Sequence, residues 1–318
     1  MGMVLVRNIT VSLRMTAMLL AVICAPALSG AGVKATFLYN LSNFSGTVPF
    51  GWVRQTVDPE RSEVYVVTGD SVAVFNSSGM EVYRFGDDLN IGVFMDVSVD
   101  SDGHILILSR IGDQYRVTRC NYRGEPQSGI EIRDLPKEFA GISPGRLLSR
   151  NGKLYLADLF AKKVVVTDAK GVFLSGYDIA PLLVGFEEKP GAEYNIAGIT
   201  VDSEGNLFFT VPTLFKVFKL SPDSLLSSFG SAGNLPGRFN IVSGIATDDR
   251  GNIFVTDILR SAVSVFDKEF KFQAQFSQRG LGPGDLIAPN ELVVDKAGRV
   301  FVSQARKRGI SVFRIAYE

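Results

Sequence analysis

The chain has 318 residues, room for one large or two ordinary domains. Hydrophobic residues make up 46% of it, which supports a substantial core and excludes a disordered chain. Lys and Arg number 33 against 33 Asp and Glu, so no global basic field exists to recruit nucleic acid or an anionic membrane.

Residues 1–31 read as an export signal. Arg7 and Arg14 precede an uncharged apolar run from Met15 to Ala27, small residues follow through Ala31, and the first acidic residue is Asp58. Cleavage is expected between roughly residues 27 and 35. An uncleaved anchor is the competing reading, because the uncharged span reaches Val33 and is of membrane length. Pro26 and the small-residue tail speak against it, and the bulky Ile23 speaks against lipidation of Cys24. The expectation is an exported protein, periplasmic or extracellular, with one domain over 32–318 and no membrane span once processed. Processing leaves Cys120 alone, so neither an internal disulfide nor a cysteine-built zinc cluster is available.

Along the rest of the chain a strand-like run from Ala35 to Leu41 comes first. A pattern of apolar run, Asp/Gly turn and apolar run then repeats. The turns are at Asp58, Asp100-Ser-Asp-Gly103, Asp202-Ser-Glu-Gly205, Asp248-Asp-Arg-Gly251 and Asp295-Lys-Ala-Gly298, with an Asp-less copy at Arg150-Asn151-Gly152. Asp and Gly suit such turns, through side-chain hydrogen bonds and through freedom at positive φ. Six copies at a period of about forty to fifty residues match propeller blades, and the apolar spacing is that of strands rather than helices. Outer strands follow most copies, as at Met80–Phe85 and Phe270–Phe276. The last copy lacks one, its third strand being Ile310–Ile315. The expected fold is therefore all-β, a six-bladed β-propeller of four-stranded antiparallel blades. The strand at 35–41 completes the last blade and removes the open edges.

The clearest copy reads Gly244-Ile-Ala-Thr-Asp248-Asp-Arg-Gly251-Asn-Ile-Phe-Val-Thr-Asp257, then Val263-Ser-Val-Phe266-Asp267. It resembles the NHL repeat of six-bladed propellers, most strongly in blades four and five and least in blade three. The resemblance speaks to fold and little to function, since propellers host binding modules and several chemistries.

Enzymes of this kind leave signatures. Amidating lyases that resemble NHL proteins hold zinc with several histidines, and streptogramin-type lyases use a catalytic histidine. This chain has the single His104, in a blade-two turn, and it is read as a solvated turn residue. Gluconolactonase-like propellers bind a divalent ion at the channel mouth with carboxylate and Asn ligands. The matching candidates are Asp158, Asn195, Asp257, Asn290 and Glu291, with calcium the one ion considered and no other cofactor expected. Against this, Asp158 and Asp257 stand where the repeat has a structural Asp. The Asp100 turn lacks the closing Glu of a calcium loop, and no nucleophile triad or phosphate loop is present. Arg306-Lys307-Arg308 is read as a solvated loop, and no nucleic-acid role is expected.

The loop between second and third strands departs from the repeat's usual polar sequence in three successive blades. It carries Leu159-Phe160, Leu214-Phe215 and Ile258-Leu259. Bulky apolar pairs at adjacent tips suggest a patch for a protein or peptide partner. The alternative is that each pair folds down to plug the channel. Trp52 and Phe50 should lie on the same face, as should the connectors Glu125–Ser143 and Pro181–Tyr194. The expectation is an exported, non-enzymatic binding propeller. Its rivals are a metal-dependent hydrolase or lactonase and a purely architectural repeat.

Overall fold

The computed structural model describes residues 32–58, 60–186 and 194–317. The expected export signal and the middle of the Pro181–Tyr194 connector lie outside these residues.

Blade five shows how the sequence makes each blade. Val242–Thr247, Ile253–Asp257, Ala262–Phe266 and Phe272–Phe276 pair in that order as an antiparallel sheet. The two middle strands are buried along their whole length, because a neighbouring blade covers each face. In the turn between the first two strands, Asp248 Oδ1 accepts the N–H groups of Arg250 at 3.0 Å and Asn252 at 2.8 Å, and Gly251 takes φ +84°. Asp100 and Asp202 hold their turns the same way. Blade three needs no such Asp. Asn151 and Gly152 both adopt left-handed backbone, at φ 52° and 71°, and close a two-residue hairpin between Arg150 and Lys153.

Six four-stranded sheets of this kind form, and the first strand of each packs against the first strand of the next, blade six meeting blade one. The ring closes as expected. Val33–Asn40 pairs with Ile310–Tyr317, with Ala35 opposite Ile315, Phe37 opposite Phe313 and Asn40 opposite Ser311. Closure leaves the last blade as deep as the others, with Phe37 edge-on to Phe313 at 5.7 Å.

Three features depart from the expectation. The supposed connector Glu125–Ser143 contains the outer strand of blade two, Pro126–Ile130, so the true connection begins at Glu131. A short helix, Ala180–Leu183, follows blade three. A hairpin of two-residue strands, Ser42–Asn43 with Gly46–Thr47, stands between the closing strand and blade one, with Phe44 exposed at its tip.

Candidate functional site

One repeat position lies four residues before the turn Asp, whose place Arg150 takes in blade three. In chain order it holds Arg54, Asp96, Arg146, Gly198, Gly244 and Glu291, each within or next to the first strand of its blade. The ring brings the charged members together at one level of the central channel. Arg146 Nε donates to Asp96 Oδ2 at 2.9 Å, and its Nη1 lies 2.9 Å from Glu291 Oε1. Arg54 Nη1 donates to Glu291 Oε2 at 2.7 Å. Asp96 also accepts the N–H groups of Leu147 and Val97. Two guanidinium groups thus balance two carboxylates, with Asp96, Arg146 and Glu291 almost wholly buried. Burial works against the Arg146 charge, but Glu291 and Asp96 outweigh it and hold its pKa above the ordinary arginine value. The blades that carry Gly198 and Gly244 contribute no side chain here, since the backbones of Ser243 and Asn290 occupy the space a Cβ would need.

Below this layer a cavity of about 210 Å³, lined by all six inner strands, runs to Arg150, Asp248, Asp249 and Lys296 at the turn end. Its rim is crossed by ion pairs between Arg150 and Asp249 at 2.9 Å and between Lys296 and Glu60.

The second strand of each blade reverses direction, so the second-to-third-strand loops lie at the opposite end from the Asp turns. At this loop face Phe160 is 89% exposed, Leu259 59% and Trp52 55%. Leu159 and Ile258, next to them in the chain, are half-buried. Blade four differs from the other two. Pro212 opens a 3-10 turn, Phe215 caps it in left-handed conformation at φ 54°, and Leu214 is buried. Phe215 packs against the blade-four-to-five core that holds Phe239 and Phe266. The expected run of three adjacent apolar tips is therefore interrupted at blade four.

The loops around blades five and six are tied to one another. Trp52 Nε1 donates to the Ala288 carbonyl at 3.0 Å, the Ala288 N–H donates to Ser261 Oγ, and Arg260 donates to the Gly233 carbonyl. Leu235 and Leu281, which no sequence pattern singles out, are also exposed on these connectors.

The expected metal ligands do not offer free carboxylates. Asp158 accepts N–H groups from Ser143 and Ala161, and Asp257 from Asn240, Ile241 and Arg260. Glu291 is held by two arginines, Asn290 Oδ1 accepts from Ser243, and Asn195 is exposed. Among the described residues, the one cluster of metal-ligating type is Asp100, Asp102 and His104 in the blade-two hairpin. Asp100 Oδ1 there already accepts two backbone N–H groups and faces His104 Nδ1 at 3.3 Å. It is a turn built on Asp, as expected.

The fold and this ring of inner-strand side chains define a six-bladed β-propeller. A family model described as 6-bladed beta-propeller matches residues 238–315. Over 77 residues the chain is 34% identical to the brain tumor protein of Drosophila melanogaster, a match that covers 24% of this chain and 7% of that protein. The chain therefore spans a small fraction of that relative. Among solved structures it is similar to a protein of unknown function from Bacteroides thetaiotaomicron, with TM-score 0.64, 13% identity, and 90% and 77% of the two chains covered. It is also similar to virginiamycin B lyase from Staphylococcus aureus, with TM-score 0.53, 12% identity and 90% of each chain covered. Likeness at such identities carries the fold alone. Among the described residues, no helix is long and apolar enough to cross a membrane.

Proposed function

We propose that this chain is an exported propeller of NHL-repeat type that binds a protein or peptide partner through its second-to-third-strand loop face. The observation that carries this reading is the contrast within that face. Its channel mouth holds a charge-balanced, mutually bonded set of side chains, with Asp96, Arg146 and Glu291 buried and Arg54 partly exposed, while Phe160, Leu259 and Trp52 stand out around it. Exposed bulky apolar groups around a rigid polar frame are what partner surfaces use. The repeat pattern and the 77-residue likeness to the brain tumor protein support the NHL assignment. The apolar run before Ala31 supports export.

The rival reading, a hydrolase or lactonase that uses oxygen ligands at the channel mouth, is less favoured. The carboxylates it would need are committed to backbone donors and to arginines. Recovery of partners from envelope extract by the chain and by its Phe160→Ser/Leu259→Ser variant tests the proposal. Loss of a specific partner in the variant is expected, and equal recovery would overturn the proposal.

A further inference from the structure

The net charge of zero conceals a divided loop face. The second-to-third-strand loops of blades one and two and the connector between those blades carry Asp70, Asp87, Asp88 and Asp113 and no Lys or Arg, with Arg110 standing in the strand just before the Asp113 hairpin and Arg133 and Lys137 following on the connector to blade three. Around blades five and six the loops carry Arg238, Arg279, Arg306 and Lys307, all exposed, and among the described residues none lies within 4.0 Å of a carboxylate. The one carboxylate on these connectors outside the core, Asp285, is turned inward onto the Gly282 N–H. Arg306 and Lys307 are held in consecutive left-handed backbone, at φ 59° and 56°, which L residues seldom adopt. Both side chains stand exposed at this tip. Leu235, Leu259, Leu281 and Trp52 are exposed in the same sector, and the bonds through Ala288, Ser261 and Gly233 fix the loops that carry them.

We infer that this sector docks an acidic polypeptide segment with interspersed aliphatic residues, an inference that rests on the partner-binding reading above. Arginines outnumber lysines, and the guanidinium fork matches a carboxylate with two parallel hydrogen bonds. The apolar anchors are three leucines and one tryptophan. Single-stranded nucleic acid wants aromatic platforms for its bases, and leucines do not supply them. A flat anionic membrane laid on this face would also meet the aspartates of blades one and two. A segment a few residues wide touches the basic sector alone. Electrostatic complementarity of this kind sets partner choice and association rate more than raw affinity.

The test is fluorescence anisotropy of a short labelled peptide alternating Glu and Leu, titrated with the purified full chain at low and moderate salt. Saturable binding that weakens with salt is expected, as is an affinity about tenfold or more lower in Arg306→Glu/Lys307→Glu. Loss of affinity when the peptide's leucines are replaced by serine is also expected. Circular dichroism and thermal melting of the variant, whose changes are exposed, verify its folding. No binding, or equal binding by the reversed variant, overturns the inference. So does stronger binding to oligouridylate or to phosphatidylserine vesicles than to the peptide. If the peptide fails while Phe160→Ser/Leu259→Ser still abolishes partner recovery, the acidic class falls and the broader reading stands. If neither substitution matters, both fall.

Discussion

The guanidinium of Arg146 crosses the channel from blade three to the carboxylate of Glu291 on blade six, at 2.9 Å. Blades on opposite sides of the ring are thereby joined at one level, with Asp96 and Arg54 completing the charge balance.

Removing Arg146 leaves Asp96 and Glu291 buried without that counter-charge. Arg146→Ala is expected to destabilise the fold by about 3–5 kcal/mol, the usual cost of breaking a buried ion pair from one side. Glu291→Gln leaves the Arg146–Asp96 contact in place and should cost less. Urea denaturation of the two variants measures the difference. Equal, small effects would mean the network is solvated.

The Asp turns are held together by side-chain-to-backbone hydrogen bonds and contribute to stability. Asp248 accepts from Arg250, Asn252 and Tyr317, so Asp248→Ala should cost about 1–3 kcal/mol. Asp249 beside it is exposed on the rim, and Asp249→Ala should stay within about 0.5 kcal/mol. Thermal melts of the pair separate the two roles.

Burial pushes the Cys120 thiol up to about 12. Unfolded, it would titrate at about 8.5. The folded state holds this proton more tightly, so its contribution to stability is intact below about pH 8.5 and is lost progressively as pH rises toward about 12. Iodoacetamide at pH 8 should leave the Cys120 peptide unlabelled in the native protein and label it in urea, as read by mass spectrometry. Rapid native labelling would contradict its burial.

Ring closure makes a covalent prediction. Ala35 faces Ile315 across the seam, so an Ala35→Cys/Ile315→Cys pair should oxidise to a disulfide and stabilise the fold by about 2–4 kcal/mol. A variant that stays reduced under oxidising conditions would argue against closure by residues 33–40.

Much of this architecture is written locally. The Asp and Gly turns recur because their side-chain and φ requirements are met within about five residues. The closing strand is legible because the last repeat ends one strand short. Leu214 and Phe215 are another matter. Their placement depends on the Pro212 turn and on room in the core around Phe239 and Phe266, which no local pattern reveals. The channel network lies between these extremes. Asp96, Arg146 and Arg54 carry no signal one by one, yet aligning the repeats on their turns puts all of them and Glu291 at a single position. A charge near the head of an otherwise apolar inner strand, repeated around a ring, is the signal. The exposed Leu235 and Leu281 have no such marker, because an apolar residue in a Gly/Pro-rich connector looks the same whether it is covered or bare.

The most direct test of partner binding is site-specific photocross-linking in envelope extract, with the photoreactive side chain placed at Leu259 on the loop face or at Asp249 on the turn face. A discrete adduct from position 259 and none from 249 is the predicted result. No adduct at 259, or the same adducts from both positions, would contradict it.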